Sequence, residues 1–170
     1  YHSPKSWLLP KHCNILIVDN AGVEQISKFF KGYTIDILYM RGEKFYMWCF
    51  ISMLFTLNFW KGHHSLSYMS QYIRFSKPSI IITFIDTRIS FYKLSYIFPG
   101  VRTIFIQNAW RSYQFFFKYL VKDPKNHVDL MFVTGKKMSD KLSQFINGKL
   151  VCVGSFTNNL TMVHGRDESL

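Results

Sequence analysis

Two polar clusters at the ends of apolar runs hold the residue types best suited to chemistry. Ile80–Ile85 is followed by Asp86, Thr87 and Arg88, and Thr103–Ile106 by Gln107, Asn108, Arg111 and Ser112. A carboxylate held at a strand end can take a proton from a sugar hydroxyl when its pKa suits, which makes Asp86 the candidate catalytic base. Gln107 and Asn108 each donate and accept, as recognition of hydroxyls requires. Arg111, one turn into the next element, is placed to clamp a phosphate at that helix's positive end. A third polar end, Gly154–Asn159, offers Ser155, Asn158 and Asn159, and the turn Asp19–Gly22 offers Asn20. The chemistry these groups suit is recognition of a polyhydroxylated or anionic ligand. The same residue types also start helices and close turns, and Asp86 has an equally simple role in pairing with Arg88. Sequence alone leaves both readings open.

Several familiar chemistries lack their motifs. Asp19-Asn20-Ala21-Gly22 sits where dinucleotide folds place a phosphate loop, but the GxGxxG fingerprint is absent, which argues against NAD or FAD. Neither a Walker A loop nor a GxSxG elbow occurs, and no cofactor is expected. His63 and His64 are adjacent, so their side chains point in different directions, and no carboxylate or Cys nearby completes a ligand set. No metal is expected. Cys13, Cys49 and Cys152 are odd in number and far apart, and read as core thiols of a reducing compartment.

The elements that must position these groups alternate along the chain. Strands are expected at 14–19, 34–40, 80–85, 103–106, 130–133 and 150–153, with helices at 23–30, 45–60, 65–75, 90–98, 113–121 and 137–146. Lys77-Pro78 and the turns Pro99-Gly100 and Asn147-Gly148 punctuate them. Strand–helix alternation is the pattern of an α/β fold, and strands apolar on both faces belong inside a mostly parallel sheet with helices on both faces. In such sheets ligands bind at the carboxyl ends of the strands. Residues 1–13 read as a loose amino-terminal segment, 14–156 as the α/β domain, and 157–170 as a linker or tail.

The chain of 170 residues carries a net charge of +11, and 18 % of it is aromatic. Ten Lys or Arg lie between Lys61 and Lys125 against Asp86 and Asp123 alone. Such a surface attracts phosphate on sugar nucleotides, nucleic acid or an anionic membrane. Nucleic acid is disfavoured: most aromatic residues fall in apolar runs that a core would claim, and no RRM, KH or helix-turn-helix signature is present. Phe45–Trp60 is a run of sixteen residues without a charge, short of the roughly 20 needed to cross a bilayer. A buried helix is one reading, and a helix pressed against a membrane, flanked by Lys44 and Lys61, is the other.

At these residues the chain resembles a family of bacterial surface carbohydrate biosynthesis proteins that look like glycosyltransferases of the two-domain GT-B type. The resemblance lies in IITFID (Ile81–Asp86), FYKLS (Phe91–Ser95), IQNAWRS (Ile106–Ser112), DLMFVTGK (Asp129–Lys136) and VGSFTNN (Val153–Asn159). It implies a Rossmann-like domain corresponding to the amino-terminal half of such an enzyme. That half holds the acceptor, glycan or lipid-linked, while a carboxyl-terminal half holds most of the sugar nucleotide. The chain opens on Tyr rather than Met and stops about where the second domain would begin, so an incomplete transferase is expected. The implied setting is polysaccharide or O-antigen assembly, in the cytoplasm or at the inner face of its membrane. A non-enzymatic basic module is the alternative.

Overall fold

Every residue of the strand Ile15–Val18 is buried, and parallel strands flank it on both sides. This is the environment that an uninterrupted Ile-Leu-Ile-Val run demands. Residues 4–85, 88–107 and 120–155 are described by the structure, a computed structural model. Its main sheet contains β2 (Ile15–Val18), β3 (Ile35–Leu38), β5 (Ile80–Thr83), β6 (Arg102–Ile106), β7 (His127–Val133) and β8 (Asn147–Cys152). Their order is β3-β2-β5-β6-β7-β8, and every pairing is parallel. A separate two-stranded parallel ribbon joins β1 (Lys5–Ser6) to β4 (Phe45–Tyr46).

Alternation along the strands divides the interior in two. Leu16, Val18, Ile81, Phe105, Met131 and Val133 face the larger core, and Ile15, Ile17, Ile82 and Ile106 face the smaller one. The larger core is covered by α2 (Met47–Leu54), α4 (His64–Ser76), a 3-10 turn at Ile89–Lys93 with α5 (Leu94–Ile97), and α6 (Lys136–Leu142). On the other face α1 (Val23–Ser27) places Ile26 in the smaller core. Right-handed crossovers explain this division. The step from β2 to β3 runs one way across the sheet, and all later steps run the other way. The architecture is therefore α/β and Rossmann-like, with helices on both faces.

Several elements differ from the sequence reading. The expected helix 45–60 is β4, then α2, then α3 (Leu57–Trp60). Thr56 makes the break: its Oγ1 donates to the Met53 carbonyl at 2.7 Å and accepts from the Phe59 N–H at 3.4 Å. One hydroxyl thus closes α2 and caps α3. Burial of this run is one-sided. Tyr46, Cys49 and Met53 are buried, while Trp48, Phe55, Leu57 and Trp60 are exposed. No helix among the described residues is long and apolar enough to cross a membrane.

Asn147-Gly148, expected as a turn, begins β8 opposite His127 beside a register irregularity. Gly148 has φ +135°, and a Cβ there would collide with the Val128 carbonyl. Helix 137–146 is shorter, ending at Leu142, and helix 90–98 starts as a 3-10 turn. Most of the expected helix 113–121 lies outside the described residues. Cys13 and Cys49 are core thiols, whereas Cys152 is exposed.

Candidate functional site

Strand order directs attention to one point on the sheet edge. From β2 the chain moves outward to β3, then returns past β2 to β5, so β2 and β5 are neighbours whose connections leave in opposite directions. Their carboxyl ends form the crevice where doubly wound sheets bind ligands. Asp19 follows β2 there, Arg41 lies just beyond β3, and Arg88 follows β5.

Asp19 is fully buried with φ 72°, a left-handed conformation that Asp tolerates better than most residues. Its backbone N–H donates to the Leu38 carbonyl at 2.8 Å, fixing it between β2 and β3. Oδ1 accepts from the Asn20 N–H at 2.8 Å, and Oδ2 accepts from Arg41 Nε at 2.9 Å. Arg88 brings a second guanidinium to 3.9 Å from Oδ2. The Arg41 N–H in turn donates to Glu43 at 3.1 Å.

The Arg88 side chain is only 21 % exposed. Burial pulls its pKa down, opposed by the negative charge of Asp19. A guanidinium stays charged through the physiological range regardless, so Asp19 holds a permanent cation in place. Arg88 Nε is buried and has no hydrogen-bond partner among the described residues. Buried donors are normally satisfied, so an unpaired guanidinium N–H at a cleft wall suits an anionic acceptor.

A cleft opens around Arg88. On one side it meets Ile89, Ser90 and Ser65, and a neighbouring hollow adds His63, His64 and Lys93. Gly62-His63 delivers the chain to the start of α4, whose first turn has no side-chain cap. The first turn and positive end of this thirteen-residue helix, with Ser65 in the cleft wall, thus face the same space as Arg88. Lys93 is tied to Asp123 at 3.2 Å.

On its other side the cleft continues into a mostly apolar hollow of about 360 Å3. Met40, Phe45, Phe50, Met53 and Tyr68 line it, with Lys44, Ser65 and Arg88 at its polar end. Phe45 and Tyr68 stack at 5.0 Å, and the Tyr68 hydroxyl accepts from the Tyr46 N–H at 3.0 Å. The Lys44 ammonium lies 4.7 Å from the Tyr46 ring centre, and a hydrogen bond to Tyr46 raises its pKa. A cationic mouth opening on an apolar floor fits an amphiphile with an anionic head.

The residues singled out from sequence are distributed as follows. Arg88 lines the cleft, and Asn20 is exposed beside Asp19. Gln107 is buried two strands from β2, roughly 10 Å away, and its Oε1 accepts from the Thr134 N–H at 3.0 Å and hydroxyl at 3.1 Å. That carbonyl ties the ends of β6 and β7. Ser155 is half-buried beyond β8, roughly 19 Å along the edge from β2. Asp86, Thr87, Asn108, Arg111, Ser112, Asn158 and Asn159 lie outside the described residues. No group of three or more His, Cys, Asp or Glu suited to a metal occurs among the described residues.

Gly22 shows why the first turn contains glycine. Its φ is +76°, and a Cβ would stand 2.5 Å from the Phe84 ring, so close packing on Phe84 dictates the residue. Sequence reasoning missed Asp19, Arg41, Lys44 and Ser65. A carboxylate directly after a fully apolar strand in so basic a chain was the available signal for Asp19.

A model of a protein family described as "putative O-antigen biosynthesis protein" matches residues 104–168, less than half of the chain. The match spans Gln107 and the polar end after β8, and associates the chain with O-antigen biosynthesis. It does not reach β2, β5 or the Arg88 cleft. No curated protein and no solved structure matches the chain.

Proposed function

We propose that this domain is the acceptor-binding unit of a GT-B-type glycosyltransferase in O-antigen assembly, and that its acceptor is a sugar carried on a lipid phosphate or diphosphate. The family match supports the pathway, and the resemblance to GT-B proteins supports the reaction class. The observation that carries the choice of acceptor is the Arg88 cleft. A guanidinium fixed by Asp19, whose buried Nε–H has no partner among the described residues, stands at the mouth of an apolar hollow. An anionic headgroup would accept from Arg88 and the first turn of α4, while the lipid chain would lie against Phe50 and Met53.

In this reading an acceptor sugar hydroxyl attacks the anomeric carbon of a sugar nucleotide. The C–O bond to the nucleoside diphosphate breaks as the new glycosidic bond forms, and a base takes the hydroxyl proton. Asp86, two positions before Arg88, is the proposed base from its place in the sequence. Thr87, Asn108, Arg111, Ser112, Asn158 and Asn159 are retained on the same ground as proposed contacts for hydroxyls or phosphate, with Asn20 and Ser155 at the described strand ends. The sugar nucleotide is the proposed second substrate.

Calorimetric titration with farnesyl diphosphate, inorganic diphosphate and farnesol tests the assignment. Farnesyl diphosphate is expected to bind more tightly than either half alone. Arg88→Lys keeps the charge but loses the forked geometry, and should weaken that binding by roughly tenfold or more. Equal affinity for farnesol and farnesyl diphosphate, or unchanged binding to the variant, would remove the basis for the proposal.

A further inference from the structure

The outer surface of α2 and α3 is built the wrong way round for a helix facing water. Trp48 and Phe55 lie i, i+7 on one exposed face, with half-buried Ile51 and Ser52 between them, away from the buried Cys49 and Met53. A solvent-facing stripe is normally polar. Here Trp48, Phe55, Leu57 and Trp60 are 45, 86, 77 and 76 % exposed, and no residue from Phe45 to Trp60 carries a charge. The three rings alone present roughly 400 Å2 of surface at those exposures. Exposed apolar surface on that scale is often functional.

The corner is also firmly held. Thr56 locks the turn, and the Trp60 indole N–H donates to the Leu54 carbonyl at 2.9 Å. Trp60 therefore has its polar atom satisfied inside the chain. The parallel ribbon adds a second apolar segment: β1 pairs Ser6 with Tyr46, so Trp7, Leu8 and Leu9 leave it in the direction that α2 takes. All three are more than half exposed.

Charge selects what covers this surface. Exposed Lys61 follows Trp60 directly, Lys44 precedes the run, and Lys5 and Lys11 bracket Trp7–Leu9. A chain of net charge +11 repels a second copy of itself and is drawn to an anionic surface. Aromatic and aliphatic side chains ringed by lysines, on an element too short to span, are the makeup of an interfacial helix. We infer that the α2–α3 corner docks at headgroup depth on an anionic bilayer, with Phe55, Leu57 and Trp60 entering the interface and Lys61 meeting the headgroups. This stands apart from the glycosyl-transfer reading. Docking would nonetheless bring the hollow floored by Phe50 and Met53, on the inner side of α2, close to the lipid.

Flotation of the full chain with phosphatidylcholine vesicles, with and without phosphatidylglycerol, provides the test. Binding is expected to the anionic vesicles, and part of it should persist at about 0.5 M salt, where surface charge is strongly screened. Phe55→Ser/Leu57→Ser/Trp60→Ser should reduce partitioning about a hundredfold with an unchanged circular dichroism spectrum. The double variant Phe55→Ser/Leu57→Ser leaves the Trp60 bond intact and should still lose about tenfold, which covers the case of a misfolded triple variant. Lys61→Glu should weaken binding at low salt only. Failure of the wild-type chain to float would overturn the inference, as would full binding by the double variant. Sedimentation showing self-association through this face, without vesicle binding, would assign it to a second copy instead.

Discussion

Replacing Asp19 by Asn tests whether this carboxylate organises the cleft. The substitution preserves size and suits the backbone, because Asn tolerates φ 72° as readily as Asp. It removes the charge that opposes Arg88 and Arg41. Stranding one partner of a fully buried pair costs about 3–5 kcal/mol. The Arg88 pairing is looser than that limit, since the side chain is 21 % exposed and stands 3.9 Å from Oδ2. A cost of about 2 kcal/mol is the appropriate scale. The Arg41 side chain is 59 % exposed, so its bond to Asp19 adds less than about 1 kcal/mol. The sum, about 2–3 kcal/mol, should lower a urea midpoint by roughly 1–1.5 M at a slope near 2 kcal/mol/M. Asp19→Ala should cost about 1 kcal/mol more, because Ala resists the left-handed backbone. In Asp19→Asn/Arg88→Gln the stranded charge is gone, so part of the loss should return. A midpoint for Asp19→Asn within about 0.3 M of wild type, or simple additivity in the double variant, would refute this account of the cleft.

Gly22→Ala combines a positive φ with a Cβ 2.5 Å from the Phe84 ring, and should destabilise by about 2–4 kcal/mol in thermal melting. Phe84→Leu in the same chain should relieve part of that loss. Burial pushes the Cys13 thiol up to about 11 and the Cys49 thiol up to about 12, whereas Cys152 is exposed. A disulfide reagent at pH 8 should therefore label one thiol quickly, and the other two only after unfolding. Two fast thiols in the native chain would contradict the burial of Cys13 and Cys49. Burial raises the Asp129 pKa, but the Thr103 N–H and hydroxyl bonds and His127 outweigh it, so the net shift is downward. A depressed carboxylate stabilises the fold above its unfolded value of about 3.9, and that contribution fades as pH falls through the lower folded value. The Asp129 side chain is 43 % exposed, so solvent screening limits the effect, and Asp129→Ala should cost less than about 1 kcal/mol at pH 7 and progressively less below about pH 3.9.

The sheet was legible because Ile15–Val18 and Ile80–Ile82 are apolar at successive positions, the pattern of an interior parallel strand. Strand order was not legible, and the site depends on it. Asp19, Arg41 and Arg88 are widely spaced in sequence and meet only because β2 lies between β3 and β5. Each looks ordinary alone: a turn acid and two surface bases. Phe45–Trp60 misled for another reason. Its apolar residues occupy nearly every position, so periodicity selects neither a face nor a boundary, and the decisive residue was Thr56. Asn147-Gly148 has turn chemistry, yet Gly148 serves the close approach of β8 to the Val128 carbonyl. Arg88 was legible as a strand-end residue, whereas the apolar hollow beside it arises from α2, α4 and β4 packing together.

Photocrosslinking with a benzophenone-bearing isoprenyl diphosphate, followed by peptide mapping, measures most directly whether the Arg88 cleft receives a lipid-linked anionic acceptor. Labelled peptides should contain Phe50, Met53 or Tyr68, labelling should be competed by farnesyl diphosphate, and it should fall in Arg88→Lys. Labelling confined to other peptides, or labelling that farnesyl diphosphate does not compete, would contradict the assignment.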